Sequence, residues 1–531
     1  MVKKEKGLLS SLGSDFPASV VVFLVALPLC LGIALGSGAP SFSGLIAGIV
    51  GGVVIGLLSK SPLSVSGPAA GLITIVSGAI GKLPVFEAFL LAVMLSGVIQ
   101  IVLGYLKLGV LGDYIPAGVI KGMLAAIGLT LILKQIPHLM GYDADFVGDE
   151  DFKQQDGKNT FTELYYSVRY MLPVAFALGA VSIALQVFWD KVLVKKAKAF
   201  KLIPSALIVV LLGVGVNEWL KATNPTLALG ASHLVNIPMA ASAAEFFTFF
   251  SFPDFSHLGN ITVWTTAITL AIVASLETLL NIEAADEMDP YKRVTPKNRE
   301  LMAQGTGNML AGLIGGLPIT SVIVRTSANV NAGARTKMSA VLHGLLLLLC
   351  VALIPFLLNM IPFASLAAVL IYTGYKLCKP ALFAEFYKKG WTQFLPFAIT
   401  VVAILFTNLL MGIFIGCVVA MFFVLRSNFK SAVFVVHDSN KYLFRLRKDV
   451  SYLNKPIIKN KLEKVPENSY VMIDAQRADF IDKDVVEVIE DFMKAAPLKD
   501  ITVELKKSVY KDQGFSVNGN GAHQEILASK N

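Results

Sequence analysis

The chain has 531 residues, 55% of them hydrophobic and only 16% charged, with a formal net charge of +9. Soluble globular domains carry about 25% charged residues, so this sequence has too little polar surface to cover itself in water. The basic excess is scattered through short loops between apolar runs, which excludes nucleic acid as a partner and makes the charge a matter of membrane topology.

The first apolar run, Phe16 to Leu35, is too long for a signal-peptide core and lacks a small-residue cleavage site, so it reads as a retained first span. Apolar stretches follow at 41–59, 67–81, 85–107, 113–140, 165–188, 202–220, 260–286, 299–316, 318–332, 337–359, 361–377, 392–410 and 411–426. With the first, these predict a polytopic α-helical membrane protein of 14 transmembrane helices, most near the ~20 residues that cross a bilayer. Two stretches, 67–81 and 318–332, are unusually short.

An N-terminus inside and 14 spans place the basic loops 189–201, 287–298, 333–337 and 376–390 on the cytoplasmic side. The acidic loop 142–163 and the loop 221–259, which has one Lys, fall on the other side. That asymmetry satisfies the positive-inside rule and predicts a multi-pass inner-membrane protein with both termini cytoplasmic. After Arg426 the pattern changes to short alternating runs (SAVFVVHD, KYLFRLR, SYVMID, DITVEL) with an amphipathic stretch from Val485 to Met493. Residues 431–510 therefore read as a small α/β domain behind a membrane domain at 16–427. Residues 1–15 form a cytoplasmic N-terminus, and the Gly/Asn/Ser/Lys-rich tail, 511–531, reads as disordered.

Cys30, Cys350, Cys378 and Cys417 form no CxxC pair and no cluster with His at metal spacing. They read as small apolar fillers, and no metal or cofactor is expected. Nor is there a Ser/His/Asp set or a Walker loop, so the sequence does not read as an enzyme.

Two interrupted segments carry the chemistry. Ser61-Pro-Leu-Ser-Val-Ser-Gly-Pro-Ala-Ala-Gly71 precedes the short third span, and Gly315-Gly-Leu-Pro-Ile-Thr-Ser-Val-Ile-Val-Arg-Thr-Ser-Ala-Asn329 opens the short tenth. Gly and Pro break both helix starts and free backbone N–H groups at membrane depth, where a bound anion can satisfy them. The positive end of each half-helix adds to the attraction. Breaks at the same place in each set of seven point to a site between inverted repeats, with the half-helix N-termini meeting near the midplane. The expected anion-binding groups are Ser66, Gly67, Pro68 and Ala69 from the first break and Thr320, Ser321 and Val322 from the second.

Arg325 follows the second break. A charge inside a span costs at least about 2.5 kcal/mol and needs a partner or a wet cavity. Snorkelling to the cytoplasmic face is the bland alternative, since Arg325 lies about 10 Å along a helix from Pro318. Glu277, the lone carboxylate between 260 and 282, is the candidate proton carrier, or a cation ligand together with hydroxyls such as Ser275, Thr278 and Thr320. Glu283, Asp286, Glu287 and Asp289 read as solvated charges. Lys121 and His343 receive no role, and Asn298-Arg-Glu300 reads as a helix start.

At these residues the sequence resembles the SulP family of anion permeases. The Ser-Gly-Pro break at 66–68, Asn298-Arg-Glu300 followed by Leu-Met-Ala-Gln-Gly305, and Pro-Ile-Thr-Ser leading into Arg325 carry the resemblance, which covers about residues 10–505. The C-terminal domain looks like the family's STAS domain. The resemblance implies a 7+7 inverted repeat with core helices 1–4 and 8–11 and gate helices 5–7 and 12–14, an elevator mechanism and a homodimer. It also implies a small inorganic anion as substrate, sulfate or bicarbonate here. Glu277 matches an acidic position in span eight, and Arg325 a basic position similar to that of proton-coupled members.

Three departures stand out. Pro28-Leu29 replaces a Pro-Gln pair that reaches the anion in many members. Val324 stands where some have Ser. Asp482 or Lys483 occupies the position of a phosphorylated Ser. The wording of span one is similar to a subgroup associated with carbonic anhydrases, which favours bicarbonate.

The expectation is a proton-coupled anion symporter. Sodium-coupled bicarbonate symport, anion exchange and a channel are the alternatives. A nucleobase–cation symporter is disfavoured by Arg325 and the C-terminal domain.

Overall fold

The computed structural model describes residues 11–507, apart from 150, 155–156, 198–199, 201–202, 241, 432 and 448, together with 514–515. Most of the expected tail at 511–531 and the first ten residues of the N-terminal segment lie outside the described residues. The chain forms two compact units, divided between Ala420 and Met421. The division falls inside the last long helix of the first unit, a few residues before the expected boundary at 427.

The first unit is helical. Its helices in chain order are α1 (Leu12–Gly36), α2 (Ser41–Val50, continued as a π turn to Ile55), α3 (Ile73–Lys82), α4 (Phe86–Tyr105), α5 (Ala117–Leu139), α6 (Thr160–Arg169), α7 (Pro173–Phe188), α8 (Ser205–Thr223), α9 (Ile261–Met288), α10 (Lys297–Ile314), α11 (Ile323–Asn331), α12 (Met338–Leu353), α13 (Phe363–Leu377), α14 (Pro380–Lys388), α15 (Trp391–Phe406) and α16 (Leu409–Ser431). Each of the fourteen apolar stretches contains a helix. Among the described residues, eight helices are long and apolar enough to cross a membrane by themselves.

The stretch at 165–188 is not one helix. Asn159 caps α6 through the amides of Phe161 and Thr162, the chain turns at 170–172, and Pro173 opens α7. Proline suits a helix's first turn and breaks a helix interior, so the chain restarts there.

The helices pack in two sets. α4 lies along α9 and α10, and α1 along α2, α11 and α12; separately, α5 packs on α13 and α15, and α13 on α7 and α8. Close crossings use small residues, as expected where lipid-like surroundings give no hydrophobic drive between helices. At the α4–α10 crossing a Cβ on Gly305 would stand 2.6 Å from the carbonyl oxygen of Gly97. α1 is buried along almost its whole length from Val22 to Ala34, which explains why it is apolar on every side.

The second unit is an α/β fold. The first unit holds two short strands, β1 (Ser66–Pro68) and β2 (Ile319–Ser321), and in the second a four-stranded sheet runs in the order β3 (Val433–Asp438), β4 (Lys441–Leu446), β5 (Tyr470–Asp474), β6 (Thr502–Lys506). β3 pairs with β4 antiparallel; β4–β5 and β5–β6 are parallel. Helix α18 (Lys483–Ala495), after α17 (Lys455–Glu463), buries Val485, Val486, Ile489 and Met493. Those positions are the apolar face the sequence shows. All four predicted strand segments are strands.

Candidate functional site

The site is built where two helices fail to form. After α2 the chain is extended through Pro62 and Pro68, and after α10 it turns at Gly315 and runs extended past Pro318. Each extended piece contributes one three-residue strand, β1 (Ser66–Pro68) and β2 (Ile319–Ser321). The two pair antiparallel, with Ser66 opposite Ser321, Gly67 opposite Thr320 and Pro68 opposite Ile319. β1 leads through a 3-10 turn (Ala70–Leu72) into α3, and β2 leads through Val322 into α11. The breaks at 61–71 and 315–325, some 250 residues apart in the chain, thus meet in one place.

Backbone groups exposed by the breaks need partners if buried. Much of that demand is met by one stripe on α10. Glu300, Gln304 and Asn308 recur every fourth residue and so share a face. Asn308 accepts from the Ile319 amide at 2.6 Å and donates to the Ile319 carbonyl at 2.9 Å, holding β2 by both its groups. Gln304 donates to Ser66 Oγ at 2.6 Å, holding β1. Glu300 accepts from Ser59 Oγ and, at 3.0 Å, from Gln304. From α9, Asn281 donates to the Ser321 carbonyl at 2.6 Å, and Thr278 Oγ1 accepts from the Ser321 amide at 3.4 Å. Asn308 also reaches Gln100 of α4 at 2.6 Å. From α11, Thr326 Oγ1 accepts from the Val65 amide at 3.1 Å.

These bonds decide which amides face a ligand. The Val322 amide donates to the Val65 carbonyl at 2.9 Å, and Ser321's goes to Thr278. Ladder alternation pairs Gly67 with Thr320. The first-turn amides have no intrahelical acceptor: Ala70 and Gly71 in the 3-10 turn Ala70–Leu72 that leads into α3, Ile323 and Val324 at the start of α11. Ala70, Gly71 and Val322 are half-buried, while Ser66, Gly67, Pro68, Ala69, Thr320 and Ser321 are buried. The expected residues therefore form the floor, and the open donors lie one or two residues further along each half-helix.

Arg325 is wholly buried, at 0% exposure. Its Nη2 lies 3.2 Å from Cys30 Sγ on α1. Its Nε and Nη1 have no hydrogen-bond partner, and no carboxylate comes within 4 Å of its side chain, among the described residues. It does not snorkel. Its guanidinium packs against Gly67, where an added Cβ would stand 2.7 Å from Cζ and overlap Nη1.

Glu277, 3% exposed, is on the α3 side. A Cβ on Gly71 would stand 3.1 Å from its Oε1. The cation and the carboxylate thus contact the same β1–α3 segment at positions four residues apart.

Some charges read as solvated are not. Asp289 is buried and ion-paired with Arg293 at 2.7 Å, and Asp286 bonds the amide of Thr295 at 2.7 Å. Lys121 pairs with Glu287 at 2.7 Å. The residues that complete the candidate site without having been singled out from the sequence are Cys30, Asn281, Gln304 and Asn308. The four-residue recurrence of Glu300, Gln304 and Asn308 in an apolar helix was the available signal.

Known proteins resemble this chain in sequence and in fold. YvdB of Bacillus subtilis, provisionally named a sulfate transporter, is 26% identical over 413 residues, 78% of this chain and 73% of YvdB. The bicarbonate transporter BicA of Picosynechococcus is 24% identical over 371 residues, 68% of this chain and 61% of BicA. Among solved structures, the transmembrane domain of a cyanobacterial BicA superposes with a TM-score of 0.53 at 22% identity, covering 77% of this chain and 97% of that one. SLC26A9 superposes with a TM-score of 0.64 at 15% identity, covering 94% and 85%. Residues 12–403 match the Sulfate permease family, and with the fold in agreement the chain belongs to that family of membrane anion transporters, not to the enzymes.

Proposed function

We propose that this protein is a secondary active transporter of a small inorganic anion, sulfate or bicarbonate, driven by protons. The observation that carries the reading is Arg325. It is a buried guanidinium with two nitrogens that have no partner among the described residues, set against Gly67 of a strand pair whose strands each lead into a half-helix with first-turn amides that have no intrahelical acceptor. Such a place is electrostatically incomplete without an anion. The amides of Ala70, Gly71, Ile323 and Val324 are the donors, and Arg325 supplies the fixed charge.

Glu277 provides the coupling. An ionised carboxylate beside Gly71 competes for the same helix end as the anion, and a protonated one does not. Proton and anion then favour each other's binding reciprocally. The near-symmetric β1–β2 register supports two inverted repeats of seven spans, the arrangement an elevator of core against gate uses. We assign residues 431–510 to a STAS-type domain on the parallel β4–β5–β6 order and its helices. We further propose that the protein works in the inner membrane as a homodimer with both termini cytoplasmic.

The test is uptake of labelled sulfate and bicarbonate into proteoliposomes under imposed proton and sodium gradients. Accumulation of one anion driven by an inward proton gradient is expected. Accumulation driven only by sodium, or equilibration without accumulation, would replace proton symport by sodium symport, exchange or a channel.

A further inference from the structure

A cavity of about 520 Å³ lies away from the strand pair, at the far end of α11. Its walls come from both helix sets: the first turns of α1 and the end of α11 on one side, α7, the start of α8 and α13 on the other. Ala328, which lines it, is one helical turn beyond Arg325. The cavity therefore approaches the Arg325 site from the end opposite to its open amides.

Two independent features make this cavity more than a passage. Pro204 is the N-cap of the 19-residue α8, and no side chain caps that end. Ser205 and Ala206, the first two residues of the helix, line the cavity. Their amides have no intrahelical acceptor, and they stand at the positive end of the helix. Facing the same cavity is Gln186 of α7. It is 1% exposed, and neither its Oε1 nor its Nε2 has a hydrogen-bond partner among the described residues. A buried amide with both groups unmet is costly unless something else occupies the space beside it. Among the described residues of the wall, the charged side chains are Lys376 and Asp190, which pair at 2.9 Å. Beside that pair, the described lining offers backbone and side-chain N–H donors. Helix ends of this kind bind oxyanions.

We propose that this cavity holds a second binding site for a small inorganic oxyanion, made by the Ser205 and Ala206 amides and the Gln186 side chain. The anion waits there on its way to or from Arg325. The proposal rests on the anion-transport reading for the identity of the ligand.

The experiment is equilibrium binding of radiolabelled sulfate, and in parallel bicarbonate, to the purified full-length protein. It compares wild type with Gln186→Leu, Gln186→Glu and Arg325→Gln. Two classes of site per chain are expected for the transported anion. Gln186→Leu should weaken one class by about tenfold or more, and Arg325→Gln should abolish the other while leaving the first. Gln186→Glu, which keeps size and polarity, should weaken the first class at least as much through repulsion, and it carries the test if the Leu variant does not fold. A single class of site in wild type, or two classes unchanged by both Gln186 variants, overturns the second site. Loss of proteoliposome uptake as a property of wild type, with a Gln186-dependent class still present, overturns the transport reading instead.

Discussion

The guanidinium of Arg325 and the backbone of Gly67 are in contact across the two broken helices, close enough that any Cβ at 67 would overlap Nη1. A charge that belongs to the second break is thereby seated under the first. The close approach is possible only because residue 67 has no side chain. The contact makes the two breaks one electrostatic unit.

Gly67→Ala should therefore act through Arg325. The added methyl forces the guanidinium aside, an overpacking that typically costs about 1–3 kcal/mol. Anion uptake should fall by about tenfold or more, with expression and chromatographic behaviour retained. In an Arg325→Gln background the same substitution should add little, because its target has gone. Uptake losses that multiply in the double variant would show that Gly67 matters for some other reason.

Glu277→Gln should separate binding from driving. The amide is nearly isosteric with the carboxylate and mimics its protonated form. Anion binding should persist, and the dependence of accumulation on an imposed proton gradient should disappear. The check is sulfate and bicarbonate uptake at matched and opposed pH. An unchanged response to the proton gradient would remove Glu277 from the coupling role.

The membrane class, the helical stretches and the two interrupted segments were legible because each has a local cause: long apolar runs, and Gly and Pro where helices must stop. The strands of the second unit were legible by their alternation. The β1–β2 pairing was not. Three residues are too few to show a period of two, and the register joins Ser66 to Ser321 across the whole membrane domain. Which amides stay open was hidden for the same reason, since it depends on Asn308, Asn281 and Thr278 from two other helices. The Arg325–Cys30 contact lies between elements almost 300 residues apart and left no trace in spacing. The break between α6 and α7 at Pro173 could have been read, but hydrophobicity on both sides concealed it.

Asn308→Ala tests the α10 stripe. It strips Ile319 of a donor and an acceptor at once and leaves a buried N–H and C=O unmet, each worth about 1–3 kcal/mol. The variant should show a lower thermal midpoint and weakened anion binding together, because the β2 strand loses its register. Gln304→Ala, which removes one bond to a hydroxyl, should do less on both counts. A thermal shift for Asn308→Ala with undiminished binding would mean that the strand keeps its place without the stripe.

The loop between α5 and α6 should make part of the protein pH-sensitive. Asp143 bridges two imidazoles, with His138 Nδ1 and His233 Nδ1 each 2.6 Å from one of its oxygens. Burial alone would raise this carboxyl, but the two hydrogen bonds and the imidazole charges outweigh it and hold the group below its ordinary value. Its neighbours go the other way. Burial, then repulsion from Asp149 and Glu163, pushes Asp145 up to about 7 despite Lys134 nearby, and burial with Asp149 raises Asp151 to about 6.

The loop rests on α1, where Val147 and Phe146 pack on Gly32 and Gly36, so its order bears on the helix that carries Cys30. A carboxyl with a raised folded value binds its proton more tightly in the folded state. The stability it confers is complete below the unfolded value near 3.8 and is lost as pH rises through the folded value. The contribution of Asp143 has the opposite sign and is lost only below about 3.8, outside that window. Between about pH 4 and about pH 7 the loop should therefore loosen as pH rises. Hydrogen exchange of residues 142–154, corrected for intrinsic rate, should speed up several-fold over that range in wild type. Asp145→Asn should flatten the profile. Exchange that slows with rising pH, or a profile the same in both proteins, would show that Asp145 does not set the order of this loop.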